Sequence, residues 1–116
     1  ATSQGDAASA LNSASGTYEA VYTFPYLAHT PMETLDGVVR ANKDGSVEVW
    51  MGSQLQTVDQ GTVASVFGVK PEKVSINTQL GGGTFGRRAQ PASNFAQEAA
   101  EVAKTQAKVQ DKLTRH

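Results

Sequence analysis

Four of the six residues from Gly81 to Gly86 are glycine, and two arginines follow directly: Leu80-Gly81-Gly82-Gly83-Thr84-Phe85-Gly86-Arg87-Arg88. Such a run can neither continue a strand nor start a stable helix, because glycine loses more conformational freedom on ordering than any other residue. The chain must bend here, with one set of elements before the bend and another after it. Gly81-x-Gly83-x-x-Gly86 formally fits the dinucleotide-binding pattern, and it follows a strand-like segment. The context then fails. Arg87, Arg88 and Pro91 stand where a helix should open, and no second parallel strand ends in an acid about twenty residues on. No Gly-Lys-Ser/Thr follows either, so this is not a Walker loop. Two readings stay open. The run can be a tight turn beside two solvated arginines. Alternatively, its bare backbone lets N–H groups approach an anion, with the guanidinium forks of Arg87 and Arg88 alongside and Phe85 walling a flat ligand.

Ahead of the loop the pattern has a period of two. Tyr18, Ala20, Tyr22 and Phe24 alternate with Thr17, Glu19, Val21 and Thr23, which predicts a strand over Thr17–Phe24. Pro25 and Pro31 bound an irregular link. Leu35–Ala41 and Val47–Met51 alternate again, and Asn42-Lys43-Asp44-Gly45 between them predicts a hairpin turn with positive φ at the glycine. Thr57 and Gln60 have capping-box spacing, Val63, Val66 and Phe67 follow at helical spacing, and Gly68 with Pro71 marks the stop. Gly61 weakens that helix by roughly 1 kcal/mol relative to alanine. Lys73–Gln79 alternates once more. Beyond the loop, Asn94 and Gln97 form a second cap-like pair, and Phe95, Ala99, Val102, Ala103 and Val109 mark one face of a long helix. The expected fold is α+β: a small, mostly antiparallel sheet of about four strands covered by two helices. Its order is β-β-β-α-β-(glycine loop)-α, and the intervening helix could make the last strand pair parallel. Residues 1–16 form either a short Asp6-capped helix or a flexible end, residues 17–107 the domain, and residues 108–116 a polar tail.

At 116 residues, 39% hydrophobic and 18% charged, the chain can build one modest core. A net charge of -1 gives no electrostatic footprint for nucleic acid, and the apolar runs are too short to span a bilayer. The absence of cysteine excludes disulfides, thiolate metal sites and cysteine catalysis within the chain. The compartment stays open between bacterial cytoplasm and periplasm. The first residue is Ala1 and no targeting peptide is visible, so a processed or excised chain is one expectation.

Several separated motifs resemble one family. Pro25-Tyr26-Leu27-Ala28-His29-Thr30-Pro31-Met32-Glu33 resembles the P-x-L-A-H-x-P-M-E run of xanthine dehydrogenases and aldehyde oxidases. Val47-Glu48-Val49-Trp50-Met51-Gly52-Ser53-Gln54 resembles their V-x-V-W-x-G-x-Q strand. Leu80–Arg88 resembles their G-G-G-F-G-R-R loop, and the likeness continues through Pro91–Phe95, Glu98-Ala99 and Ala103-Lys104. It is nearest to the isoquinoline 1-oxidoreductase β-subunit branch and covers about Tyr18 to Lys104.

The resemblance implies a molybdenum cofactor, in this branch a molybdopterin cytosine dinucleotide. It implies hydroxylation of an aldehyde or N-heterocycle with water as oxygen source, and a 2Fe–2S subunit or domain as electron-transfer partner. Gln54 then matches the glutamine beside an oxo ligand of molybdenum, and the Gly82, Gly83, Phe85 and Gly86 backbone matches the donor loop. Arg87, with Arg88 beside it, is the next choice for contact with phosphate or pterin. On residue type alone, Gln54 is an ordinary polar strand end, and His29 and Glu33 are structural. Thr84 departs from the usual glycine loop, Thr34 stands where proline is common, and Ala89 replaces the glutamate of purine-oxidising members, which implies another substrate class.

The family's large subunits run to several hundred residues, and no match to their catalytic glutamate follows Gly86. The 116 residues are therefore expected to be one lobe of a cofactor-binding region, with no catalytic residue of their own, no cofactor in isolation and possible homodimerisation. The alternative is a stand-alone, non-catalytic binding or interaction module sharing the fold.

Overall fold

The computed structural model describes residues 5–17, 19–23, 25 and 29–114. Asp6 opens α1 (Ala7–Ser13), its carboxylate accepting the Ser9 N–H at 3.0 Å, and the helix is exposed throughout. The strand expected at Thr17–Phe24 does not form among the described residues of that segment, and Tyr18 and Phe24 lie outside them. An alternating pattern becomes a strand only where an edge is available to pair with it. Here Val21 is exposed, and Tyr22 instead borders an open groove between β1 and α3.

The sheet has three strands in the order β1-β2-β3: β1 (Gly37–Ala41), β2 (Val47–Met51) and β3 (Val74–Thr78). Three strands stand where about four were expected, and the sheet is mixed. β1 pairs antiparallel with β2, and β3 pairs parallel with β2. The hairpin turn is built as the sequence requires: Gly45 takes φ 80°, and Asn42 N–H donates to Ser46 O at 2.8 Å.

The helix α2 (Gln56–Phe67) supplies the parallel crossover. It starts two residues earlier than the capping spacing predicts, with Leu55 rather than Thr57 at the cap and no side-chain cap bond. Gln60 is drawn away to close the other end of the crossover, donating to Pro71 O at 3.0 Å and Val74 O at 2.9 Å. Gly68 ends the helix in the left-handed region, φ 70°, as a residue without Cβ can at little cost.

The final helix, α3 (Asn94–Thr114), runs on through the stretch expected to be a tail. Its inward stripe is Phe95, Ala96 and Ala100, with Ala99 and Ala103 half-buried, while Val102 is exposed. The face is thus turned from the one expected, because alanines let α3 lie close to Val63 and Ala64 of α2. The core is Val47, Val49 and Met51 from one face of β2, Val74, Val63, Ala64 and the α3 stripe. Burying each larger apolar side chain stabilises the fold by roughly 1.5–3 kcal/mol. Both helices cover that face. The other face carries Arg40, with its guanidinium 5.2 Å above the half-buried Trp50 ring and an ion pair to Glu48.

Candidate functional site

The site forms where the chain leaves β2 and where it leaves β3. Parallel pairing puts Met51 beside Thr78, so both exits lie at the same end of the sheet, where the crevices of parallel sheets gather ligands. Gln54 lies three positions past β2 and the glycine loop begins just past β3. They meet: Gln54 Oε1 accepts the Arg88 N–H at 3.2 Å. Only the oxygen of a carboxamide can accept, so this bond fixes the amide and leaves the Nε2 hydrogens as donors for another group.

The loop is folded by successive tight turns. Gly83 N–H donates to Gly81 O at 3.1 Å, Arg87 N–H to Thr84 O at 2.8 Å and Ala89 N–H to Gly86 O at 3.0 Å. In the middle turn Phe85 and Gly86 both have positive φ, 47° and 84°, as in a type I′ turn. Phenylalanine is unusual there, and the conformation points to strain held in place by its surroundings. Gly83 has φ 79°, and a Cβ on it would stand 3.2 Å from Cε2 of Phe85, so the ring lies over that glycine. The ring itself is 70% exposed.

The expected site residues therefore divide. The Thr84, Phe85 and Gly86 N–H groups donate to no acceptor among the described residues. Gly83 N–H is used within the loop, and Gly82 N–H donates to Glu33 Oε2 at 2.6 Å. Gly82 and Gly83 thus contribute room rather than free donors.

Both arginines are buried, so neither is the solvated side chain of the simple-turn reading. Arg87 makes one side-chain bond, to Asn94 Oδ1 at 3.3 Å, and has no carboxylate partner among the described residues. Arg88 is 1% exposed and bonds Glu33 at 2.6 Å, Asp36 at 3.0 Å and Thr34 O at 3.0 Å. Its guanidinium and Cδ lie over Gly52, where a Cβ would come within 3.2 Å of Nη1. Gly52 in the strand-exit motif is thus matched to Arg88 at the end of the loop.

A second buried centre escaped the sequence patterns. Asp59 in α2 is fully buried and accepts the Ser53 hydroxyl at 2.5 Å and the Ser93 hydroxyl. It ties the β2 exit that carries Gln54 to the residue preceding α3. A lone acid within a helix gives no sequence signal for this, because its partners lie six and 34 positions away. His29 is exposed with φ 71°, and its neighbours Tyr26, Leu27 and Ala28 lie outside the described residues.

A family of molybdopterin cofactor-binding domains matches residues 1–116. Among curated proteins, the chain is 43% identical over 63 residues to the β subunit of isoquinoline 1-oxidoreductase from Brevundimonas diminuta, covering 54% of this chain and 8% of that subunit. It is 32% identical over 84 residues to a probable xanthine dehydrogenase component from Bacillus subtilis (strain 168), covering 72% of this chain and 11% of that protein. The chain thus spans about a tenth of the length of these relatives. No solved structure matches it.

Proposed function

The chain belongs to the molybdopterin cofactor-binding domain family of the xanthine dehydrogenase type, and from that premise we propose that Gln54 and the Thr84–Gly86 backbone together seat the molybdenum cofactor. The observation that carries this reading is the Gln54–Arg88 contact, which brings a fixed carboxamide to a loop with unspent N–H donors.

The residues fit such a group on their own chemistry. An oxygen-rich, anionic ligand offers the acceptors that Thr84, Phe85 and Gly86 lack within the described chain. A buried charge without a counter-ion is costly, and cofactor phosphate would supply the partner missing at Arg87. The exposed Phe85 ring gives a flat apolar wall beside the donors. Because these donors are already oriented, they stabilise charge on the ligand without reorganising.

When bound, the cofactor supplies a redox metal centre, and the proposed reaction of the enzyme that contains this domain is hydroxylation of an aldehyde or N-heterocycle with water as oxygen source. The likeness to an isoquinoline 1-oxidoreductase β chain supports the heterocycle choice. The cytosine dinucleotide form and a 2Fe–2S partner that carries electrons away are part of the same proposal. This chain's share is to bind and orient. Gln54 presents Nε2–H, the loop presents main-chain N–H, and Arg87 offers positive charge.

The test is molybdenum and pterin content of the whole protein carrying this domain, purified from a host that makes the cofactor. Wild-type protein should retain both, and Gln54→Ala should cut turnover more than folding stability, since it leaves only the Arg88 N–H without its acceptor. Wild-type protein free of molybdenum and pterin would sink the proposal.

A further inference from the structure

Glu33 sits 49 residues before Gly82 in sequence, yet it holds both ends of the glycine loop. One carboxylate oxygen, Oε2, accepts the Gly82 N–H at 2.6 Å, and the other, Oε1, accepts Arg88 Nη2–H at 2.6 Å. Glu33 N–H also donates back to Gly82 O at 3.0 Å. Gly82 has to be a glycine for this to happen: a Cβ there would stand 2.7 Å from Glu33 Oε2 and 2.9 Å from Glu33 Cβ. At the other end, Arg88 is fixed by burial, and its own N–H holds Gln54. The pair of short, charge-assisted bonds therefore spans from the start of the loop to the residue that orients the carboxamide.

We infer that Glu33 is a positioning residue for the ligand seat: it brackets the loop so that the Thr84–Gly86 donors and Gln54 face one ligand together. This rests on the cofactor-binding reading above. The chemistry calls for a carboxylate. Both groups that Glu33 meets are donors, so the side chain between them must accept twice. A carboxamide of the same size has one accepting oxygen, and its NH2 would face a donor at the other end. Glutamine at position 33 must release either Gly82 or Arg88. In wild-type protein the bracket costs nothing at the moment of binding, because Arg88 and Glu33 are already paired.

The experiment compares Glu33→Gln with wild type in two measurements on the whole protein from a cofactor-producing host: amide hydrogen exchange, and the rate at which bound pterin is released on dilution. The expected result is about tenfold or faster exchange at the Gly82 amide, whose bond to the carboxylate is lost, or at the Arg88 amide, whose bond to Gln54 loosens once its guanidinium is released, with exchange at Val49 and Ile76 in the sheet unchanged. Pterin release accelerates by a similar factor. Gly82→Ala pushes the carboxylate aside while keeping its charge, and should give the same local signature, which covers the case that Glu33→Gln does not fold. Unchanged exchange at both loop positions, or acceleration throughout the sheet, overturns the bracket. A loosened loop with unchanged pterin release overturns the positioning role and leaves the cofactor reading standing. Wild-type protein without pterin overturns the cofactor reading, and the ligand half of this inference with it.

Discussion

Replacing Arg88 separates two parts of what it does. Its head group bonds Glu33, Asp36 and Thr34 O, lies with Cδ over Gly52 and stands 5.8 Å from the Phe95 ring centre, and the stem behind it is buried with the rest of the side chain. Arg88→Met keeps most of the stem and removes the head. Breaking a wholly buried ion pair costs about 3–5 kcal/mol. The partner side chains here are 32% and 68% exposed and can rehydrate, so the loss is smaller. Bonds to charged groups and the two carbonyls, Thr34 O and Asp36 O, left without their donor put it at about 2–3 kcal/mol. Arg88→Ala removes the stem as well. At about 0.8 kcal/mol per buried methylene, it should cost roughly 2 kcal/mol more. A domain of this size is stable by roughly 6–17 kcal/mol, so both variants should fold. Urea unfolding measures the difference. At a slope of about 1–3 kcal/mol/M, Arg88→Met should lower the midpoint by roughly 1–2 M, and Arg88→Ala should lower it further. An unchanged midpoint for Arg88→Met would refute the claim that the head group organises the loop. Equal midpoints for the two variants would refute the claim that the stem is packed.

Asp59→Ala leaves the Ser53 and Ser93 hydroxyls without their shared acceptor and should cost about 2–4 kcal/mol, whereas Asp59→Asn should cost much less because hydroxyls can turn to suit a carboxamide; thermal unfolding ranks the pair. In the hairpin, the Asn42 amide and then Arg40 hold the Glu48 carboxyl below its ordinary value of 4.5, and the Ser46 hydroxyl and N–H hold Asp44 below 3.8. Groups depressed in the fold stabilise it above their ordinary values, and that contribution is lost as pH falls through the depressed ones. Glu48→Gln should therefore flatten the acid side of the melting-temperature profile below pH 4.5, while an unaltered acid limb would remove Glu48 from the explanation.

Local signals in the sequence were enough for the hairpin and the end of α2, and they left the parallel crossover open as one possibility. Asn42–Gly45 has few conformations open to it, Gly68 before Pro71 stops a helix, and a helix between two strands favours parallel return. Thr17–Phe24 shows the limit: period two says which faces alternate, and nothing about whether a neighbouring edge exists. The capping-box spacing at Thr57 and Gln60 lost to tertiary demand, since Gln60 serves carbonyls at Pro71 and Val74 instead. At the site, the family resemblance grouped Gln54 with the loop, and the Arg88 N–H is where the two meet. The burial of Arg87 and Arg88 and the joint tie of Glu33 to Gly82 and Arg88 depend on partners seven to 55 positions away, which spacing rules do not reach.

The central claim is that main-chain donors at Thr84, Phe85 and Gly86, together with the Gln54 amide, face the cofactor. Amide exchange of those three residues, compared between cofactor-loaded and cofactor-stripped protein, tests it directly. Selective slowing at Thr84–Gly86, with a matching change at the Gln54 side-chain amide by nuclear magnetic resonance, is the predicted result. Protection confined to other surfaces, such as the groove between β1 and α3, would contradict the account.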